Sequence, residues 1–309
     1  MLSVLLALAP VFIIIVVGIW LRQAKFLDIG FWRPAEQLTY FVLFPALLVS
    51  TLGTADLGGL GEVLPMVAAI WVAILGMTTA LVLLRPVTGP SGPKFSSVIQ
   101  GVIRQNSYIG LATAAAFYGG DGVAAAAVAL VAIVPLANVI SVVVITRYAS
   151  SGSPSVRGIL GQLARNPLIV AVILGLALNL SGIGIPIVFD SVLRILGNAA
   201  LAFGLLAVGA ALDLNSLRAS GRVAATTCGL KLILMPAITF AACLAFGAVG
   251  MLGFIAVMFN GLPTATNSYI LARQLGGDAT LMAGLITLQT ALSAITLPLV
   301  LGGLTAMGW

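Results

Sequence analysis

Apolar stretches of about 20 residues follow one another along this chain, and a helix of that length is what crosses the hydrocarbon core of a bilayer. The connections between them are short and hold most of the charges. From Val11 to Trp20 the apolarity is continuous, without the alternation that marks the strands of a membrane β-barrel. Apolar residues make up 61% of the 309 positions and charged residues 7%, a balance that no soluble domain of this length needs. The sequence predicts an all-α integral membrane protein with ten transmembrane helices, near 3–21, 34–53, 64–84, 97–118, 123–146, 166–182, 187–211, 224–245, 249–275 and 280–303. The seventh of these carries Asp190 and Arg194 in its first turns.

Charge sets the orientation. With the amino terminus outside, the cytoplasmic connections hold Arg22, Lys25, Arg33, Arg85, Lys94, Arg147, Arg157, Arg165, Arg218, Arg222 and Arg273, whereas the outer ones hold Arg194 alone. Arg104 and Lys231 fall within spans. This positive-inside asymmetry fits ten spans with both termini on the outer, periplasmic side, and one span more or fewer would move the later cations to the wrong face. The amino terminus lacks the positive leader of a cleavable signal peptide, so the first run is expected to stay as a span. The net charge of +6 is explained by juxtamembrane cations facing anionic membrane lipid, with no nucleic acid required. Cys228 and Cys243 sit in apolar runs far from metal-ligand spacings, and there is no His. No metal, cofactor or enzymatic chemistry is therefore expected.

The second half slides over the first at an offset of 157. Pro10 then meets Pro167, Gly18 meets Gly175, Asp56-Leu57 meets Asp213-Leu214, and Gly119-Gly-Asp121 meets Gly276-Gly-Asp278. Each half holds an odd number of spans, so the second enters the membrane from the opposite side. Two inverted five-helix repeats result, over 1–148 and 166–309, joined by a cytoplasmic linker at 149–165. The Gly-Gly-Asp pairs read as tight turns.

The fourth and ninth spans are interrupted. Asn106-Ser-Tyr-Ile109 recurs as Asn267-Ser-Tyr-Ile270, and the offset places Asn106 opposite Pro263. Around them stand Arg104-Gln-Asn-Ser-Tyr-Ile-Gly110 and Asn260-Gly-Leu-Pro-Thr-Ala-Thr-Asn-Ser268. A proline removes an amide donor and crowds the preceding turn, and glycine weakens a helix. Unwound backbone is tolerable at membrane depth only inside protein or beside a water-filled cavity, so the two breaks should face each other. Gly110, Gly261 and Pro263 are the expected hinge positions. Half-helices resuming after the breaks would present amides and a positive dipole end to an anion, with Asn106, Thr264 and Asn267 adding neutral donors.

Several residues carry two readings each. Arg104 either contributes a cation to the site or snorkels to the cytoplasmic face, and Lys231 is either a substrate counter-ion or gate or a partner for a carbonyl at the Pro236 kink. Glu36 is the one acid able to reach a cavity, against a solvated position beside Arg33. The usual midplane proton relays are missing, and a sodium site of carbonyl and amide oxygens stays open. Tyr108 is placed to reach the cavity and Tyr269 to pack.

The order of these features, with Phe44-Pro45 and Lys231…Pro236, is similar to the auxin efflux carrier family. About 20 residues separate spans five and six, which resembles bacterial members without the long central loop of the plant auxin exporters. The resemblance implies a scaffold made of the first two spans of each half and a transport bundle of the other three. Interrupted crossover helices 4 and 9 would meet at Asn106 and Pro263, with Ser107, Tyr108, Asn260, Thr264 and Asn267 adjacent. It further implies an elevator-like secondary transporter of small organic anions, such as malonate or malate, in a bacterial inner membrane, dimeric through scaffold helices. The alternative is a sodium-coupled symporter of the bile-acid type, and a passive channel is a third class, separable by flux that does not saturate.

Overall fold

A chain crossing lipid without closing into a barrel must satisfy its backbone within each segment, and helices do so. The computed structural model describes residues 1–55, 60–149, 161, 164–213, 216 and 221–309, and among these residues there is helix and no strand. In chain order the helices are α1 (Leu2–Gln23), α2 (Trp32–Leu38), α3 (Phe44–Thr54), α4 (Leu60–Thr88), α5 (Gly92–Ile103) and α6 (Ser107–Tyr148). After the linker come α7 (Pro167–Leu180), α8 (Ile187–Ala211), α9 (Gly221–Gly229), α10 (Met235–Phe246), α11 (Gly250–Gly261), α12 (Ser268–Leu275) and α13 (Ala279–Ala306). The linker at 149–165 and the Asp56-Leu57 and Leu214 positions of the repeat lie largely outside the described residues.

Among the described residues, seven helical runs are long and apolar enough to cross a membrane. One of them, Gly92–Tyr148, has 57 residues and would measure about 85 Å as a single rod, far beyond the roughly 30 Å of hydrocarbon. It does not run straight. It is interrupted at Arg104–Asn106 and again at Gly119, whose φ of 57° and ψ of −135° are non-helical. Gly119 is the first residue of the Gly-Gly-Asp motif, and a left-handed φ is open to glycine at little cost. In the matching motif Gly276 has φ 89° and closes α12, and the Asp278 carboxylate caps α13 through Leu281 N. Pro167–Leu180 and Gly250–Gly261 are shorter apolar helices. Several helices begin earlier than hydropathy predicts. α5 starts at Gly92 rather than near 97, because a first turn with Pro93 and Lys94 is polar yet geometrically helical.

Two prolines leave the same mark. A proline inside a helix crowds the carbonyl four residues before it, and here the strain is taken up by a wider turn just upstream. Thr39–Leu43 is a π-turn before Pro45, with Phe44 N bonded to Thr39 O, and Leu230–Leu234 is a π-turn before Pro236, with Met235 N bonded to Leu230 O. Both runs, Ile29–Thr54 and Gly221–Phe246, thereby stay continuous across their prolines.

Packing sorts the helices into two groups. α1 lies along α8, and α3 lies between α7 and α8; the other group joins α4 to α10 and α11, with α5, α6 and α13 around them. Small residues allow the closest approaches. A Cβ at Gly18 would collide with the carbonyl of Leu206, and a Cβ at Gly175 would stand 2.9 Å from Leu52 Cβ and 3.3 Å from Val49 Cα. Gly18 and Gly175 are 157 residues apart, as are Val49 and Leu206. The outward faces carry large apolar side chains such as Leu6, Ile13, Val16, Leu83, Ile173, Ile195 and Ile233, which suit lipid rather than water. This is a multi-pass membrane protein.

Candidate functional site

The two breaks meet. Asn106 N donates to Pro263 O at 2.9 Å, so the fourth and ninth segments are joined backbone to backbone at the positions that the offset pairs. The reciprocal bond cannot form, because proline has no N–H; Asn106 O instead accepts from Gly110 N and starts α6. Gly110 is helical rather than bent, and its smallness serves contact: a Cβ there would lie 2.7 Å from the Phe259 ring and 2.9 Å from Leu262 Cδ1.

Asn106 is 2% exposed, and its side chain is oriented by the helix it caps. Oδ1 accepts from Tyr108 N at 3.1 Å and Ile109 N at 3.2 Å. An amide oxygen must face those two donors, so the nitrogen faces away, and Nδ2 is buried without a partner. This changes one expectation. The first amides of the resumed helices were predicted to await an anion, but those of Tyr108 and Ile109 are taken by Asn106, and Ser268, Tyr269 and Leu271 bond to Ala265, Thr266 and Asn267 carbonyls. Among the described residues at the crossing, the unpartnered donors are on side chains: Asn106 Nδ2, and Nε of the neighbouring Arg104.

Asn106, Ser107 and Tyr108 line a cavity of about 270 Å³ together with Ala265, Thr266, Asn267 and Ile270 and, from the second membrane run, Arg33, Glu36, Gln37, Tyr40 and Phe41. Pockets for drug-sized ligands start near 300 Å³, so this one suits a small molecule. It reaches the face that carries Arg33. Of its lining residues, Tyr108 is stacked on Phe44 with ring centroids 4.9 Å apart and planes 12° from parallel. A second cavity of about 400 Å³ is bordered by Ser50, Thr54, Asp121, Arg194 and Asn198. There Ser50 Oγ bonds to Asp190, which holds Arg194 at 2.7 Å.

The remaining sequence-predicted residues brace the crossing and do not line the cavity. Asn260 accepts from Gln105 Nε2 at 2.9 Å and donates to Thr239 at 2.8 Å. Thr264 N donates to Gln289 Oε1 at 2.8 Å, and Gln289 Nε2 donates in turn to Gly101 O at 2.9 Å. Arg104 neither snorkels nor reaches the cavity: its guanidinium spans Asn138 Oδ1 at 2.8 Å and Asn267 Oδ1 at 3.0 Å. That fork ties α6 to the start of α12 and fixes Asn267 beside the cavity. Gly261, at the end of α11, packs on Pro236. Lys231 is fully buried, and its Nζ has no hydrogen-bond partner among the described residues, so neither the carbonyl pairing nor a place beside Asn106 is seen. Tyr269 packs against the core.

Sequence reasoning missed Gln289 and the contribution of Tyr40, Gln37 and Thr266. A lone Gln within the tenth span was the available signal for the first. Glu36, weighed as the one acid that could reach a cavity, does line it.

Comparison with known proteins points to membrane transport. Residues 154–301 match the family model described as membrane transport protein. The chain is also 24% identical over 260 residues, 84% of each chain, to an uncharacterized transporter of Methanothermobacter thermautotrophicus. Over its second half, and more distantly over most of its length, the chain is thus similar to membrane transport proteins.

Proposed function

We propose that this protein is a secondary transporter that moves a small organic anion, a mono- or dicarboxylate, across a bacterial inner membrane by elevator-like alternating access. The observation that carries the reading is the Asn106 amide: a buried donor without a partner, held in fixed orientation beside a small cavity where two broken helices cross. A carboxylate supplies the acceptor that such a donor lacks, and leaving the donor unpaired costs about 1–3 kcal/mol. Ser107 and Asn267 add polar contacts on either side.

The reading includes ten spans in two inverted repeats, 1–148 and 166–309. The matched close approaches at Gly18 and Gly175 support it, as does the pairing of Asn106 with Pro263 at the same offset. α1, α2, α3, α7 and α8 form the scaffold, through which a homodimer assembles, and the crossing belongs to the bundle that moves. Both termini lie on the periplasmic side, so the cavity beside Asn106 opens to the cytoplasm and this is an inward-facing arrangement. In this reading the second cavity, bordered by Asp121 and Arg194, lies on the outer side, and the Phe44–Tyr108 stack is the barrier that opens in the other state.

A thermal-shift screen of purified protein against mono- and dicarboxylates, with and without sodium and across pH, tests the assignment. A saturable rise in melting temperature with one class of carboxylate is expected, growing as RT ln(1 + [L]/Kd). No shift with any of them would remove the carboxylate reading, and a shift that needs sodium would favour the bile-acid type of symporter.

A further inference from the structure

Among the described residues lining the cavity beside Asn106 there is one carboxylate, Glu36, on α2 of the scaffold. Thr266 Oγ1 donates to its Oε1 at 3.5 Å, and Thr266 precedes Asn267 in the second break. Glu36, Thr266 and Ile270 also border an adjoining cavity of about 650 Å³ on the same face. The carboxylate therefore stands where the two cavities meet, between scaffold and crossing.

An anion held by Asn106 faces this second negative charge across a space of about 270 Å³. Two carboxylates confined in one small site do not both stay ionised at low cost, because each raises the proton affinity of the other. Among the described residues, Arg33 is the one cation lining the same cavity, and no ion pair between it and Glu36 is formed. Arg33 and Tyr40 share its helical run, Tyr108 lies across the cavity, and Arg22, Asp213 and Tyr269 border the adjoining one. Arg22 donates to the carbonyls of Ala210 and Leu212, and Arg104 to Asn138 and Asn267. No described cation stands within ion-pairing distance of Glu36.

Resting on the carboxylate reading, we propose that Glu36 is a proton-binding site coupled to the anion in the cytoplasm-facing state: its carboxylate takes a proton from cytoplasmic water as the substrate binds beside Asn106 and gives it back to the same side when the substrate leaves. By reciprocity the anion binds more tightly on that face as pH falls. Loss of the charge also weakens the bond from Thr266, which links scaffold to bundle.

Proteoliposomes and radiolabelled malonate separate the two ideas. Malonate exchange at equal pH on both sides needs no coupling and tests the carboxylate reading. The malonate concentration that half-saturates exchange, measured at a series of pH values, tests Glu36, and for one proton taken up per malonate bound it should rise by up to about tenfold per pH unit. In Glu36→Gln this dependence should flatten, and in Glu36→Asp it should return. Wild-type half-saturation indifferent to pH would overturn the assignment, as would a dependence that survives unchanged in Glu36→Gln. If Glu36→Gln cannot be purified, the wild-type pH series still decides. Absence of malonate exchange would remove the substrate reading and the proton site with it.

Discussion

Asn106 does two things with one side chain. Its oxygen caps α6 and its nitrogen is left over, buried, at the edge of the cavity. Substitutions can separate the roles. Asn106→Asp keeps an equally good cap but exchanges the free donor for a second acceptor, so carboxylate binding should fall at least tenfold while the melting temperature without ligand holds. Asn106→Ala loses both, with a stability cost of about 1 kcal/mol for the cap. Isothermal titration and thermal unfolding of the two variants check this pair. The polar residues of the breaks were legible in the sequence because amides, hydroxyls and an arginine in the middle of an apolar run have no other excuse. Their division of labour was not. Whether Thr264 faces a ligand or Gln289 depends on what the tenth span brings alongside, and Arg104 finds its partners 34 and 163 residues away.

At the scale of elements, proline produces two different outcomes. Before Pro45 and Pro236 a π-turn absorbs the missing donor and the helix continues; at Pro263 the chain leaves the helix from Leu262 to Asn267. The difference lies in what receives the backbone: Pro263 O is taken by Asn106 N and Thr264 N by Gln289. Pro263→Ala restores an amide that can bond to Phe259 O and extend α11, at the expense of the crossing. Turnover should drop severalfold, with the folded protein still extractable from membranes, and rates in proteoliposomes test this. Unchanged turnover would make the proline a structural feature alone. Sequence located this break from its Pro and Gly. The π-turns were not foreseen, because a proline in an apolar run looks the same whether the helix bends, widens or ends.

For the whole molecule, the offset of 157 is both a sequence pattern and a packing pattern. Gly18 against Leu206 and Gly175 against Val49 are matched contacts, so Gly18→Val and Gly175→Val should destabilise by similar amounts, about 1–3 kcal/mol each, through overpacking. Thermal unfolding in detergent checks this; a large effect at one position and none at the other would argue against equivalent interfaces. Continuous apolarity made the all-helical, multi-pass character legible. The arrangement of cavities was not, because each is lined by residues from distant segments, as Tyr40, Tyr108 and Asn267 are in the one beside Asn106. The account as a whole requires that the crossing be reached from each side of the membrane in turn. Ser107 lines the cavity, and the native Cys228 and Cys243 are buried, so Ser107→Cys offers a reporter for membrane-impermeant thiol reagents. Labelling from the cytoplasmic face at rest, from the periplasmic face as well during turnover, and protection from both by a transported carboxylate is the expected result. Labelling from one face under all conditions, or labelling indifferent to every carboxylate, would contradict it.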